Sequence, residues 1–140
     1  MKTLTTFVSA IALLLVAGCA SSRLAPVATT PSEDLLGTWR GSYGQVEGVL
    51  YTDNADCLLQ INRDGTFVQR ITPQPGANNL AKPSTWTGNV LQRGNRVTLR
   101  SDQGPSWTLV HSGNRMYAIA EDPIVEATIA LSYQRVGVRG

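Results

Sequence analysis

The chain has 140 residues, twelve of them Lys or Arg and ten Asp or Glu, for a net charge of +2. That length bounds it to one domain of ordinary size, and a charge so small and so scattered leaves no basic stripe to track a nucleic acid. A hydrophobic fraction of 42% with 16% charged residues describes a globular protein, and one histidine with two cysteines leaves almost nothing to build a transition-metal site.

Met1-Lys2 gives a positive start, and Phe7 to Val16 is a ten-residue apolar run broken only by Ser9. A membrane-crossing helix needs about 20 apolar residues, so the run is too short to span. A charged start, a short apolar centre and small residues before a cleavage point together describe a secretory signal. The run ends in Val16-Ala17-Gly18-Cys19. This resembles the lipobox of bacterial lipoproteins. The resemblance implies cleavage between Gly18 and Cys19, diacylglycerol on the Cys19 thiol, and usually an acyl chain on the new amino terminus. Two or three chains would hold the protein on a membrane, where one anchors only reversibly. In lipoproteins of enteric-type bacteria, Asp after the cysteine favours the inner membrane. Ala20 stands there, so the resemblance implies an outer-membrane anchor with the domain facing the periplasm. A chain folded outside the cytoplasm meets no ATP or nicotinamide pool. No glycine loop of the phosphate-cradling kind is present, which excludes kinases and dehydrogenases a second time. No cofactor is implied.

Residues 1–18 thus read as the signal peptide. Residues 19–34, rich in Ala, Ser, Thr and Pro and without period, read as a lipidated flexible linker, and 35–140 as the folded domain. Within it, alternation and turn signals recur every 8–12 residues, which predicts an all-β sandwich or barrel. Leu36 to Tyr43 alternates and meets Gly44; Val46 to Tyr51 is a second short candidate. Cys57 to Ile61 runs through Asn62-Arg63-Asp64-Gly65 into Thr66 to Ile71, and Asp-Gly between two such runs is the strongest hairpin signal in the chain. Pro73, Pro75 and Pro83 keep Thr72 to Ser84 out of a central ladder, making it the longest loop. Trp86-Thr87 leads to Gly94-Asn95-Arg96, and Trp107-Thr108 to Gly113-Asn114-Arg115. The even Trp-to-Gly separations put each indole on the same face relative to its turn. A strand from Ala127 to Arg135 closes a series of eight or nine, with no apolar helical stripe anywhere. About eight short antiparallel strands close readily into an up-and-down barrel.

Gly37-Thr38-Trp39 at the head of the first strand resembles the Gly-x-Trp of lipocalins. That likeness implies a Trp39 that plugs the closed end of the barrel and an Arg135 from the last strand lying over its ring. The chain departs from the family in its shortness and in lacking a C-terminal helix and a disulfide pair.

Candidate chemistry is sparse. His111 is the sole histidine, no Gly-x-Ser-x-Gly elbow accompanies it, and its place before Ser112-Gly113-Asn114 predicts a rim position half in water. Cys57 alternates with Leu59 and Ile61, which puts it on an apolar face as core or, with Cys19 acylated, leaves it for an intermolecular partner. Two carboxylate clusters, Asp53/Asp56 and Glu121/Asp122/Glu126, fall beside turn residues; converging in one cleft they could cut a sugar chain, and otherwise they shape turns. Asp53-Asn54-Ala55-Asp56 is too short for a calcium loop and lacks its downstream Glu, and no metal site is expected. Trp39, Trp86, Trp107, Tyr43 and Phe67 can face the interior, either as core or as the lining of a ligand pocket. The expectation is a non-catalytic module on a lipid anchor. It would bind a small apolar ligand in the barrel mouth or, alternatively, act as a structural or inhibitory lipoprotein on an envelope protein. No catalytic residues and no nucleic-acid partner are assigned.

Overall fold

A computed structural model describes residues 30–76 and 82–137, except the side chains of Tyr51 and Asp53. The signal, the lipobox with Gly18 and Cys19, and most of the linker lie outside the described residues. Eight strands follow one another: β1 (Gly37–Glu47), β2 (Leu50–Ile61), β3 (Thr66–Pro73), β4 (Ser84–Arg93), β5 (Arg96–Ser101), β6 (Trp107–Ser112), β7 (Arg115–Asp122) and β8 (Ala127–Arg135). Each pairs antiparallel with the next, and β8 returns to β1 to close the barrel, the up-and-down closure expected from the spacing of the turns.

The turns carry the register. Asn62 accepts from the Gly65 N–H at 3.1 Å and donates to Thr66 O at 2.9 Å, leaving Arg63-Asp64-Gly65 as a three-residue loop with Gly65 at φ +84. That is a type I turn followed by a left-handed residue, a common three-residue hairpin. Asp64 Oδ1 accepts from both Thr66 N and Thr66 Oγ1, which fixes the exit, and this hydrogen bonding holds its carboxyl below the usual range. The repeated Trp units end in two matched Gly-Asn loops, with Gly94 and Gly113 each at φ +58 and the asparagines on the ordinary side. Glycine first and asparagine second is the type II′ arrangement, whose twist suits the flanking strands. Both loops also lend a carbonyl to a neighbouring strand. Asn95 O accepts from His111 N, and Asn114 O from Arg135 N.

Several boundaries differ from the sequence reading: Thr72, Pro73 and Ser84, read as part of the long loop, pair with Asp56, Ala55 and Ile71 inside the ladder. Val46 to Tyr51 is not a strand of its own. Val46 and Glu47 end β1, Gly48-Val49 turns the chain, and Leu50 opens β2. The polar run Thr52 to Asp56 then continues β2 instead of forming a loop, so Asp53 and Asp56 lie on a strand. The inward–outward alternation breaks there because β2 carries a bulge. Tyr43 pairs with Ala55 and Gly44 with Asp53, leaving Asn54 extra. Pro31 is buried, and Ser32 and Glu33, given to the linker by composition, join the strap that crosses the barrel end.

Strand alternation places Trp39, Leu59, Ile61, Phe67, Val97, Leu99, Trp107, Leu109, Met116, Ile129 and Leu131 inside, all nearly fully buried. The barrel is filled by its own side chains over most of its height, as in other small barrels.

Candidate ligand site at the open end of the barrel

One end is sealed. Leu35, fully buried, lies over the opening, and its carbonyl accepts from Trp39 Nε1 at 2.9 Å. Arg135 pairs in register with Trp39, and its guanidinium donates to Leu36 O at 2.8 Å and Glu33 O at 3.3 Å. The ring that meets Trp39 is that of His111, edge-on with centroids 5.8 Å apart. His111 is therefore not a rim residue half in water. It is 9% exposed, with Nε2 against Gly113 O at 2.8 Å and Nδ1 3.7 Å from the Asp34 carboxylate. The strap over this end accounts for the difference, since alternation along β6 cannot reveal Asp34, 77 residues upstream, packed beside the ring. Exposed Glu33 also pairs with Arg63 at 2.6 Å.

Above this plug runs a buried polar line. Gly41 sits in register between Cys57 on β2 and Tyr133 on β8. A Cβ on Gly41 would lie 1.7 Å from Ser132 O and 2.8 Å from Tyr133 Cδ1, so the bare backbone makes room for the phenol ring. The Tyr133 hydroxyl reaches Cys57 and accepts from Gln69 Nε2 on β3 at 2.6 Å. Burial pushes the Cys57 thiol up to about 12, and burial with Cys57 alongside raises Tyr133 well above its ordinary value. Cys57 is thus a protonated core thiol, as its apolar neighbours imply, and a poor nucleophile.

The other end opens into a cup of about 310 Å³. Tyr43, Ile71 and Trp86 form its lower wall. The β3–β4 segment at Lys82-Pro83, Pro105 of the β5–β6 loop, and Ile124-Val125 of the β7–β8 turn form its rim. Trp86 stays in place because Gly104 lies on its ring; a Cβ there would come within 2.4 Å of the indole. Asp122, at the end of β7, is buried and lines the cup. Its Oδ2 accepts from Tyr43 Oη at 2.9 Å and its Oδ1 from Ile124 N at 2.8 Å, which ties the turn to β1 on the far side of β8. Burial and the Asp122 carboxylate both raise the Tyr43 phenol far above its ordinary value, so it remains a donor at any physiological pH.

The aromatic candidates separate by height. Tyr43 and Trp86 line the cup, while Trp39, Trp107 and Phe67 are core. The carboxylates separate as well. Asp122 is the one carboxylate among the described residues of the cup wall; Glu121 is exposed beside Thr128, and Glu126 is exposed in the turn at φ +52. Asp56 is exposed on β2. Sequence reading passed over Gln69 and Asn54. Gln69 shows its place by falling between Phe67 and Ile71 in the inward register, whereas the buried Asn54 depends on a bulge that alternation does not announce. Neither amide atom of Asn54 has a partner among the described residues, a costly arrangement for a buried group.

No family model, curated protein or solved structure matches this chain.

Proposed function

We propose that this protein is a lipid-anchored binding module of the bacterial outer membrane, facing the periplasm and holding a small apolar ligand in the cup at its open end. The observation that carries the reading is the cup itself. It is a concave, mainly apolar space with one aromatic wall and few polar groups, the usual composition of a small-molecule site. A sealed opposite end and a filled core leave the mouth as the place for a ligand. The anchor reading rests on Val16-Ala17-Gly18-Cys19, with Cys19 as the lipidated residue.

Titration with N-phenyl-1-naphthylamine, a neutral probe that brightens in apolar surroundings, tests the cup. Saturation at one probe per chain is expected, with loss in Trp86→Asp while melting stays close to that of the parent. A signal that does not saturate, or that Trp86→Asp leaves intact, overturns the reading. A second reading, an envelope-protein partner, is favoured by the outer face of β7. There Tyr117 is 51% and Ile119 69% exposed on neighbouring outward positions. Crosslinking from position 119 in cell envelopes would show one discrete adduct under that reading.

A further inference from the structure

We propose that the ligand of the cup carries a positive charge, an organic ammonium on an apolar body, and that Asp122 is its counter-ion. This deepens the reading above and rests on the cup being the ligand site. Asp122 is 4% exposed and faces a cavity, yet both of its hydrogen-bond donors, the Tyr43 hydroxyl and the Ile124 N–H, are neutral. Among the described residues the ion pairs are Arg63 with Glu33 and His111 with Asp34, and neither includes Asp122. A buried carboxylate is ordinarily balanced by a cation. Among the described residues none pairs with Asp122, and the carboxylate lines the space that a ligand would occupy.

The turn does not explain the charge. Asp122 Oδ1 closes a short loop onto the N–H two residues on, which an asparagine carbonyl would do equally well. What an asparagine lacks is the negative charge. The surroundings suit a cation in two further respects. The Trp86 and Tyr43 rings line the same space, and aromatic rings attract ammonium groups most strongly when water is excluded. Ile71 and Val125 offer apolar contact to the rest of the molecule, in a volume of about 310 Å³ that admits a body of modest size. Lys82, also on the cup, is exposed at the rim, where solvent and salt screen it. Depth therefore gives the carboxylate the larger influence on what enters.

The test uses the full chain in a non-ionic detergent with its tryptophans replaced by 5-fluorotryptophan. The Trp86 fluorine line, assigned by its loss in Trp86→Phe, reports occupancy of the cup, so probe dissolved in the micelle does not register. Hexylammonium, hexanol and hexanoate share one tail and differ in head group. Hexylammonium is expected to bind at least about tenfold more tightly than hexanol, with hexanoate weakest. In Asp122→Asn the ammonium should fall to within about threefold of hexanol, with hexanol unchanged. Equal binding of ammonium and alcohol would overturn the counter-ion role while leaving the cup as a ligand site. Tightest binding by hexanoate would overturn it too and hand selection to Lys82. A Trp86 line unmoved by all three would overturn the cup itself. The ranking on the unaltered chain decides the matter even if Asp122→Asn does not fold.

Discussion

Replacing Gly41 with alanine tests the packing that closes the barrel. Gly41 lies where β1 meets β8, the seam between the first and last strands that runs from Trp39↔Arg135 to Gln45↔Ile129. The added Cβ would sit 1.7 Å from Ser132 O, and because that atom is backbone, no change of rotamer clears it. The seam must part, or the Tyr133 ring must leave its bonds to Gln69 and Cys57. Overpacking typically costs about 1–3 kcal/mol, and a clash with backbone in a closed barrel belongs at or beyond the top of that range. At roughly 4–8 °C per kcal/mol for a domain near 100 residues, melting should fall by about 12 °C or more. Thermal unfolding followed by circular dichroism measures the loss, and thiol titration of Cys57 shows whether the interior opens. The parent thiol should be inert and the variant thiol reactive. A midpoint within about 2 °C of the parent, with Cys57 still protected, would refute the argument that bare backbone at 41 holds the seam.

Other outcomes follow from the same structure. Cys57 and Tyr133 bind their protons more tightly in the folded state than in the unfolded chain. Their stabilisation is therefore complete below the unfolded values and is lost as pH rises. Stability should decline from about pH 9 toward 12, approaching 1.4 kcal/mol per pH unit for each group, and Cys57→Ala should flatten the slope in urea melts taken across that window. A parent with no alkaline slope would contradict the buried polar line. Gly65→Val forces a β-branched residue to φ +84 and should cost roughly 1–3 kcal/mol, whereas Glu126→Gly, at φ +52, should stabilise by up to about 1 kcal/mol; chemical denaturation measures both. Exchanging residues 1–19 for a secretory signal that is cut without a cysteine should move the protein from the membrane to the soluble periplasmic fraction, and continued sedimentation with membranes would sink the anchor.

Much of the barrel was legible because its signals are local. Asp64-Gly65 and the two Gly-Asn pairs each fix a turn through a single positive φ, and alternation between them assigns faces without any long-range information. What escaped reading is non-local. His111 looked exposed until residues 31–36 crossed the barrel end, and β2 looked like two pieces because the bulge at Asn54 breaks its alternation. The cup was half visible. Trp86 and Tyr43 stood among the inward aromatics, but no pattern in the chain distinguishes the level of the mouth from that of the core. Asp122 looked like a turn carboxylate, which it is. Its bond to the Tyr43 hydroxyl, 79 residues away in sequence, is what no local pattern announces.

The most direct measurement of the central claim is native mass spectrometry of the protein extracted gently from cell envelopes, alongside Trp86→Asp. A single small molecule is expected to ride on the parent chain, released by collisional activation and missing from the variant. A parent chain that arrives bare, or an adduct retained when the aromatic wall of the cup is gone, would contradict it.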